Sequence, residues 1–284
     1  MKPTFLLVLL AAVVTAASTC NALKLSVLQA VLLATQASAL SLDLVLCRYM
    51  ENSDAVVAFA TRAQQELPSI IERKHVFLIQ HEDPRNATVA WPSSWTIIQT
   101  PNWGHEEHCH LTYLVHHRHA LSDFVWFSHA LPDKYMNDKL WKRLPLITER
   151  TGLIGLALFG RCDCDASNCG QRSRLVRARE IYVMAMKQFC FGSWDTPFNG
   201  EFVVSRKWIL QHPISFYSYL LDVASSKILW DDNLFVEAPH RPSKESFFGH
   251  VMERMWGPIF NCTRVSVCCE GEQPCVQDAC QCLD

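Results

Sequence analysis

The six residues Leu42 to Cys47, "LDLVLC", form a near-continuous apolar run. A run of that kind belongs to a strand covered on both faces, which in soluble folds means a sheet sandwiched between helices. It breaks at "RYMENSD", where Ser53 or Asp54 is placed to cap a following helix. Val56, Phe59, Ala60, Ala63 and Leu67 then recur at helical spacing, and Pro68 helps to end the pattern. Further strands are expected at Val76–Gln80 and Trp95–Gln99, a helix from about His105 to His119, and a strand at Asp123–Ser128. Strand, helix, strand, strand, helix, strand describes an α/β sheet with helices packed on its faces. Ligands of such sheets bind beyond the carboxyl ends of the strands. Arg48–Asn52, Gln80–Asp83, Pro101–Glu106 and Ser128–Asp133 therefore belong to one rim.

The second half reads less clearly. Ser173–Phe189 is an amphipathic segment with Ile181, Tyr182, Ala185 and Phe189 on one face and Arg174 and Arg177 elsewhere. "EFVVS", Glu201–Ser205, reads as a strand with Ser205 capping the next helix, and Pro213–Ala224 as a helix whose inward residues are Ile214, Tyr217, Leu221 and Ala224.

With 284 residues, 49% of them hydrophobic, the chain has material for one large core. A net charge of −2 leaves no basic footprint for a phosphate backbone, so nucleic acid is not expected as a partner. Met1–Ala22 has the layout of a secretory signal: one Lys, an apolar core from Phe5 to Ala17, then small residues. An uncleaved membrane anchor is the alternative, and its apolar run is shorter than the ~20 residues a bilayer span needs. Thirteen cysteines, twelve after loss of Cys20 with the signal, suit pairing in an oxidising lumen. Asn86 and Asn261 begin glycosylation acceptor triplets. Six cysteines crowd residues 261–284, a tail with too few large apolar residues for a core, so disulfides are expected to staple it, with a zinc knuckle as the alternative.

Several chemistries lack their motifs. In "HEEHCHLTYLVHHRH" the position that would complete H-E-x-x-H holds Cys109, so a zincin is excluded, while a metal pair involving His105 and His108 stays open. Ser205 lacks the G-x-S-x-G elbow of esterases, and no Walker or dinucleotide glycine motif is present. The cysteines of "CDCDASNC" are expected to pair with each other or with Cys190.

"RYMEN" at Arg48, "NWGHEEH" at Asn102, "LSDFVWF" at Leu121, "FVVSRKWI" at Phe202 and "MERMWGPIF" at Met252 occur in that order. Together they resemble the pattern of a largely fungal family of unknown function whose layout is similar to type A glycosyltransferases. The resemblance implies a mixed, mainly parallel central sheet with helices on both faces over residues 40–260. It also implies a nucleotide sugar or glycan as ligand and partner. Departures are Met50 for Asn, His105 for Arg and Ser128-His129 for Leu-Gln. Type A enzymes commonly hold Mn or Mg through Asp-x-Asp after the central strand, and Ser128-His129-Ala130 offers none, which argues against a divalent metal. A metal-free site needs positive charge from the protein itself. The implied roles are Glu51 on the nucleotide or ribose, Asp195 or Glu201 as base for an acceptor hydroxyl, and Arg206 or Arg254 on the diphosphate. Arg48, Asn102, Glu106 and Glu253 complete the expected binding set. The bland alternatives are a helix-dipole acid for Glu51, an ion pair for Glu253 and Arg254, and core packing for Trp256.

Overall fold

In β1, Leu40–Arg48, alternate side chains enter two different apolar layers. Leu42, Leu44 and Leu46 enter one; Val45 and Cys47 enter the other. This period of two is what a strand buried on both faces requires. The structure is a computed structural model that describes residues 39–81, 89–101, 105–132, 134–157, 159–164, 178–226, 247–263 and 281–284. Met1–Ala22, Asn86, Asn102, Asp133, Arg174, Arg177 and most of the cysteine-rich tail lie outside the described residues. The chain divides into Met1–Ala39 and Leu40–Asp284, and the fold is that of the second unit.

After β1 come α1 (Ser53–Glu66), β2 (Ile71–His81), β3 (Thr96–Thr100), α2 (His105–His116), β4 (Phe124–His129) and α3 (Lys134–Arg143). β5 (Thr151–Gly155), β6 (Phe159–Asp163), α4 (Ala178–Met186), β7 (Ser193–Pro197) and β8 (Phe202–Ser205) follow. The last elements are α5 (Arg206–Ile209), α6 (Ile214–Ser225), α7 (Phe247–Ile259) and β9 (Gln281–Leu283). The main sheet has the order β3-β2-β1-β4-β8-β5-β9. β1 pairs in parallel with β2 and β4, and β2 with β3, while β8 is antiparallel to β4 and β5. The expected mixed, mainly parallel sheet is thus present. α1 and α3 pack on one face; α2, α4, α6 and α7 pack on the other. β6 and β7 form a separate antiparallel pair.

Local chemistry explains the boundaries. Asn52, rather than Ser53 or Asp54, caps α1 by accepting from Ala55 N at 3.0 Å. Leu67 is extended before Pro68, as the proline ring demands of its predecessor. Ser205 caps α5 through Trp208 N.

Two expected helical faces need correction. α4 buries Ile181, Tyr182 and Ala185 but ends at Met186, leaving Phe189 74% exposed beyond it. In α6, Tyr217 and Ala224 are inward as expected, whereas Ile214 is 39% exposed and the buried face runs through Phe216, Leu220 and Val223. The neighbouring ridge packs because α2 and α7 meet α6 from that side.

Cys164 pairs with Cys190, as the sequence led us to expect, and Cys262 pairs with Cys282 across the tail. Cys162 is also in a disulfide, whereas Cys47 and Cys109 are buried thiols. Among the described residues no helix is long and apolar enough to cross a membrane.

Candidate functional site

The chain runs outward from β1 to β2 and β3, then returns past β1 to build β4 on the other side. Loops that leave two neighbouring parallel strands in opposite directions cannot both cover the space between them, and a crevice forms at their carboxyl ends. Here those ends are Cys47 and His129, which lie in register, and Ala130 N donates to Cys47 O just beyond.

His129, the last residue of β4, stands between two acids. Its Nδ1 is 2.8 Å from Glu201 Oε1, which also accepts from His129 N at 2.7 Å. Its Nε2 is 3.4 Å from Glu106 Oε2. Burial alone pushes the imidazole down, but the charge of Glu106 and the hydrogen bonds to both acids outweigh it and hold His129 well above its usual range. An acid facing each ring nitrogen favours the charged imidazolium, which has a proton to donate on both sides. Glu201 is wholly buried, while the side chains of Glu106 and His129 retain 15% and 28% exposure. The face offered to a ligand is His129 with Glu106, and Glu201 lies behind.

Glu201 reaches this place through the turn joining β7 to β8. Asn199 and Gly200 have φ of 62° and 63°, a left-handed pair that asparagine tolerates and glycine adopts freely. A Cβ on Gly200 would lie 2.9 Å from Glu106 Cγ and from His110 Cε1, so the turn also needs glycine for space. Asn199 N donates to Glu253 Oε1 at 2.7 Å, which docks α7 against the same turn. Glu106, Glu201 and Glu253, 147 residues apart at the extremes of the sequence, thus converge on four turn residues.

Around the clamp the groups divide by charge. Burial pushes Glu253 up, but His250, Arg254 and the Asn199 amide overcome it and keep its carboxyl below the ordinary value. Arg254 donates to Glu253 Oε2, and its guanidinium lies 5.2 Å over the Phe198 ring. Glu107 goes the other way: burial, then the charges of Glu106 and Glu253, raise it well above its ordinary value. His110, one turn beyond Glu106, is fully buried among Phe127, Phe202 and Trp256, and burial lowers it to about 3, keeping it neutral.

At the end of β1, Arg48 and Glu51 belong to the same rim. Arg48 Nε and NH2 donate to Glu51 O at 3.0 and 2.8 Å, NH1 reaches Gln80 Oε1, and the guanidinium sits 5.0 Å over Trp91. Trp91 in turn stacks on Trp95. Glu51 accepts from Tyr49 N, which leaves its carboxylate at the surface between the exposed Tyr49 and α1.

Arg206 is a correction. It follows β8 at the opposite rim, where its N donates to Asp123 O and its NH2 pairs with Asp123 Oδ1 at 2.8 Å. Glu201 and Arg206 flank the four extended residues of β8, and at about 3.4 Å per residue their backbones stand roughly 17 Å apart. Glu201 and Arg206 therefore cannot share the crevice. Asp195 is held on β7 by Arg161 Nε at 2.8 Å, an ion pair in the small sheet. Asn102 lies outside the described residues. His129 was missed as a site residue; its sequence signals were its place in the Ser128–Asp133 rim segment and the Gln that the resembled family has there. Among the described residues no group of three or more His, Cys, Asp or Glu is placed to hold a metal ion.

No family model matches the chain, and no curated protein does. Among solved structures, glucosyl-3-phosphoglycerate synthase from Mycobacterium tuberculosis in complex with uridine diphosphate is similar at 15% identity and TM-score 0.36, over 81% of this chain and 82% of that one. A second structure of M. tuberculosis glucosyl-3-phosphoglycerate synthase gives 14% and 0.35, over 80% and 81%. A structure titled as a mycobacterial protein gives 13% and 0.37, over 87% and 84%.

Proposed function

We propose that this chain is a glycosyltransferase-like protein of the secretory pathway that binds a nucleotide sugar or glycan at the carboxyl rim between β1 and β4. The observation that carries the proposal is the His129 clamp at the switch point of the sheet. A site without Asp-x-Asp needs a cation from the protein, and the imidazolium of His129 is one, partly exposed and aimed at the crevice. A diphosphate oxygen displacing Glu106 from Nε2 would keep that hydrogen bond and gain the charge. Glu51 is placed at the neighbouring strand end to accept hydroxyl hydrogens. Complete burial fits Glu201 poorly to the role of base; it acts as the positioning residue for His129, and Glu106, the more exposed acid, takes the place beside an acceptor hydroxyl. The signal-like amino terminus, the acceptor triplets and the two disulfides support the secretory setting.

A second reading, binding without catalysis, is favoured by one feature: both His129 nitrogens are already occupied by protein acids. Nucleoside diphosphate binding without sugar turnover would select it.

The test is a thermal-shift series with uridine, guanosine and adenosine diphosphates, with and without Mn. A ligand at 100 times its Kd stabilises the folded state by about 2.7 kcal/mol, and at roughly 2–4 °C per kcal/mol that is a rise of about 5–10 °C in Tm. His129→Ala should abolish the rise. No shift with any of the three, or an equal shift in the variant, would overturn the assignment.

A further inference from the structure

Among the described residues the free thiols are Cys47 and Cys109, and they lie on neighbouring elements. Cys47 ends the apolar stretch of β1 and Cys109 lies one turn into α2; both are buried, and Cys109 Sγ donates at 3.9 Å to the carbonyl of Ile79, the residue paired with Cys47 across β1 and β2. Cys47 also donates to Glu106 O at 3.5 Å, in the backbone of the residue that faces His129. His81 lies two residues beyond Ile79 on β2, its Nδ1 is fixed by Pro101 O at 3.3 Å and Thr100 Oγ1 at 3.5 Å, and its charge acts on Cys109. A thiol, a second thiol and an oriented imidazole are what thiol–disulfide exchange needs: an attacking sulfur, a resolving sulfur and a base.

We propose that Cys47 and Cys109 are a reversible dithiol site that is oxidised to a further disulfide by a low-molecular-weight disulfide of the glutathione class. The attacking partner is Cys109. Burial raises its thiol, yet the hydrogen bonds from Cys47 and His81 and the charge of His81 outweigh that and bring it to about 6. His81 responds in the opposite sense: burial lowers it, and Cys109 more than restores it. Cys47, by contrast, is pushed up by burial and by its neighbour, as suits the thiol that waits.

In the first step the Cys109 proton passes to His81, the Cys109 thiolate forms a bond to one sulfur of the small disulfide, and that S–S bond breaks to release one thiolate. In the second, Cys47 gives its proton to the departing thiolate and attacks the Cys109 sulfur, so the mixed disulfide breaks and a second small thiol leaves. Two protein thiols lose two electrons, and one small disulfide gains them. Oxidation removes the S–H that Cys47 donates to Glu106 O and ties the first turns of α2 to the end of β1. Burial makes the exchange slow, minutes to hours.

The full chain, incubated overnight in glutathione buffers of graded oxidised-to-reduced ratio, is quenched in acid, alkylated in denaturant and mapped by peptide mass spectrometry. The Cys47–Cys109 linked peptide should rise at least about tenfold, relative to the alkylated pair, from the reduced to the oxidised end, and fall again on transfer back. In Cys47→Ser, Cys109 should accumulate as a mixed disulfide with glutathione. Alkylation of both cysteines at every ratio, separate glutathione caps on each in the wild type, or pairing of either with another cysteine would overturn the proposal. The wild-type map decides it even where the variant fails to fold, and none of these outcomes depends on whether a nucleotide binds.

Discussion

His129 is charged because its two nitrogens meet two acids, and that arrangement has a pH signature. The folded-state value lies above the ordinary 6.5, so the stability it contributes is complete below about 6.5 and is lost as the pH rises through the folded value. Glu253 has the opposite sign: held below its ordinary 4.5, it contributes above that pH and its share is lost as acid drives the pH through the folded value. His129→Gln keeps a donor toward Glu201 without the charge. Its Tm measured from pH 2 to 10 should therefore lack the decline expected of the wild type on the alkaline side, while the acid limb set by Glu253 is unchanged. Parallel curves for the two proteins across the alkaline range would mean that His129 is not the imidazolium described.

Among the elements, the turn between β7 and β8 decides whether the clamp exists. Gly200→Ala would force a Cβ into the left-handed region, at about 1–2 kcal/mol, and into Glu106 and His110, where overpacking adds about 1–3 kcal/mol. Urea unfolding should show a loss of about 2–5 kcal/mol, together with weaker ligand response. A loss within about 0.5 kcal/mol, the scale of an ordinary surface change, would show that the turn relaxes freely. The elements also show what the sequence can disclose. β1, α1, β2, β3, α2 and β4 were legible because their apolar runs are long and their breaks carry Asn, Ser and Pro. β5, β6, β7 and β9 were not, since three to five residues carry too little periodicity to distinguish a strand from a loop. Glu106, Glu201, Glu253 and Arg254 were found by motif, and they do converge. Arg206 was wrongly grouped with Glu201 because adjacency in sequence hides an extended segment's length, and nothing in "EFVVSR" states that β8 runs antiparallel to β4. His129 stayed hidden because its importance comes from two partners 23 and 72 residues away.

Over the whole molecule the two rims of the sheet differ in kind. At the amino rim, Asp43 accepts from Ser122 N, Ser122 Oγ and Tyr113 OH, and Asp123 accepts from Ser41 and Arg206, so the carboxylates there are consumed in fastening β1, α2 and β4 together. At the carboxyl rim the acids hold a histidine, with part of it left open. The Cys262–Cys282 disulfide, 20 residues apart in sequence, ties the tail back so that β9 pairs with β5. In the chain-entropy picture a loop of that size gives about 3 kcal/mol, so Cys282→Ser should lower the unfolding free energy by about that amount in chemical denaturation. An unchanged midpoint would mean that β9 holds its place without the bond. Either way β9 has a second office. Every residue of β5 is buried, and among the described residues β9 is the strand that covers its outer edge. A protein in which Gln281–Leu283 peels away would present an unpaired backbone ladder carrying Leu153 and Ile154 to its neighbours in solution, so the tail guards solubility, and its loss should appear first as precipitation on concentrating the sample.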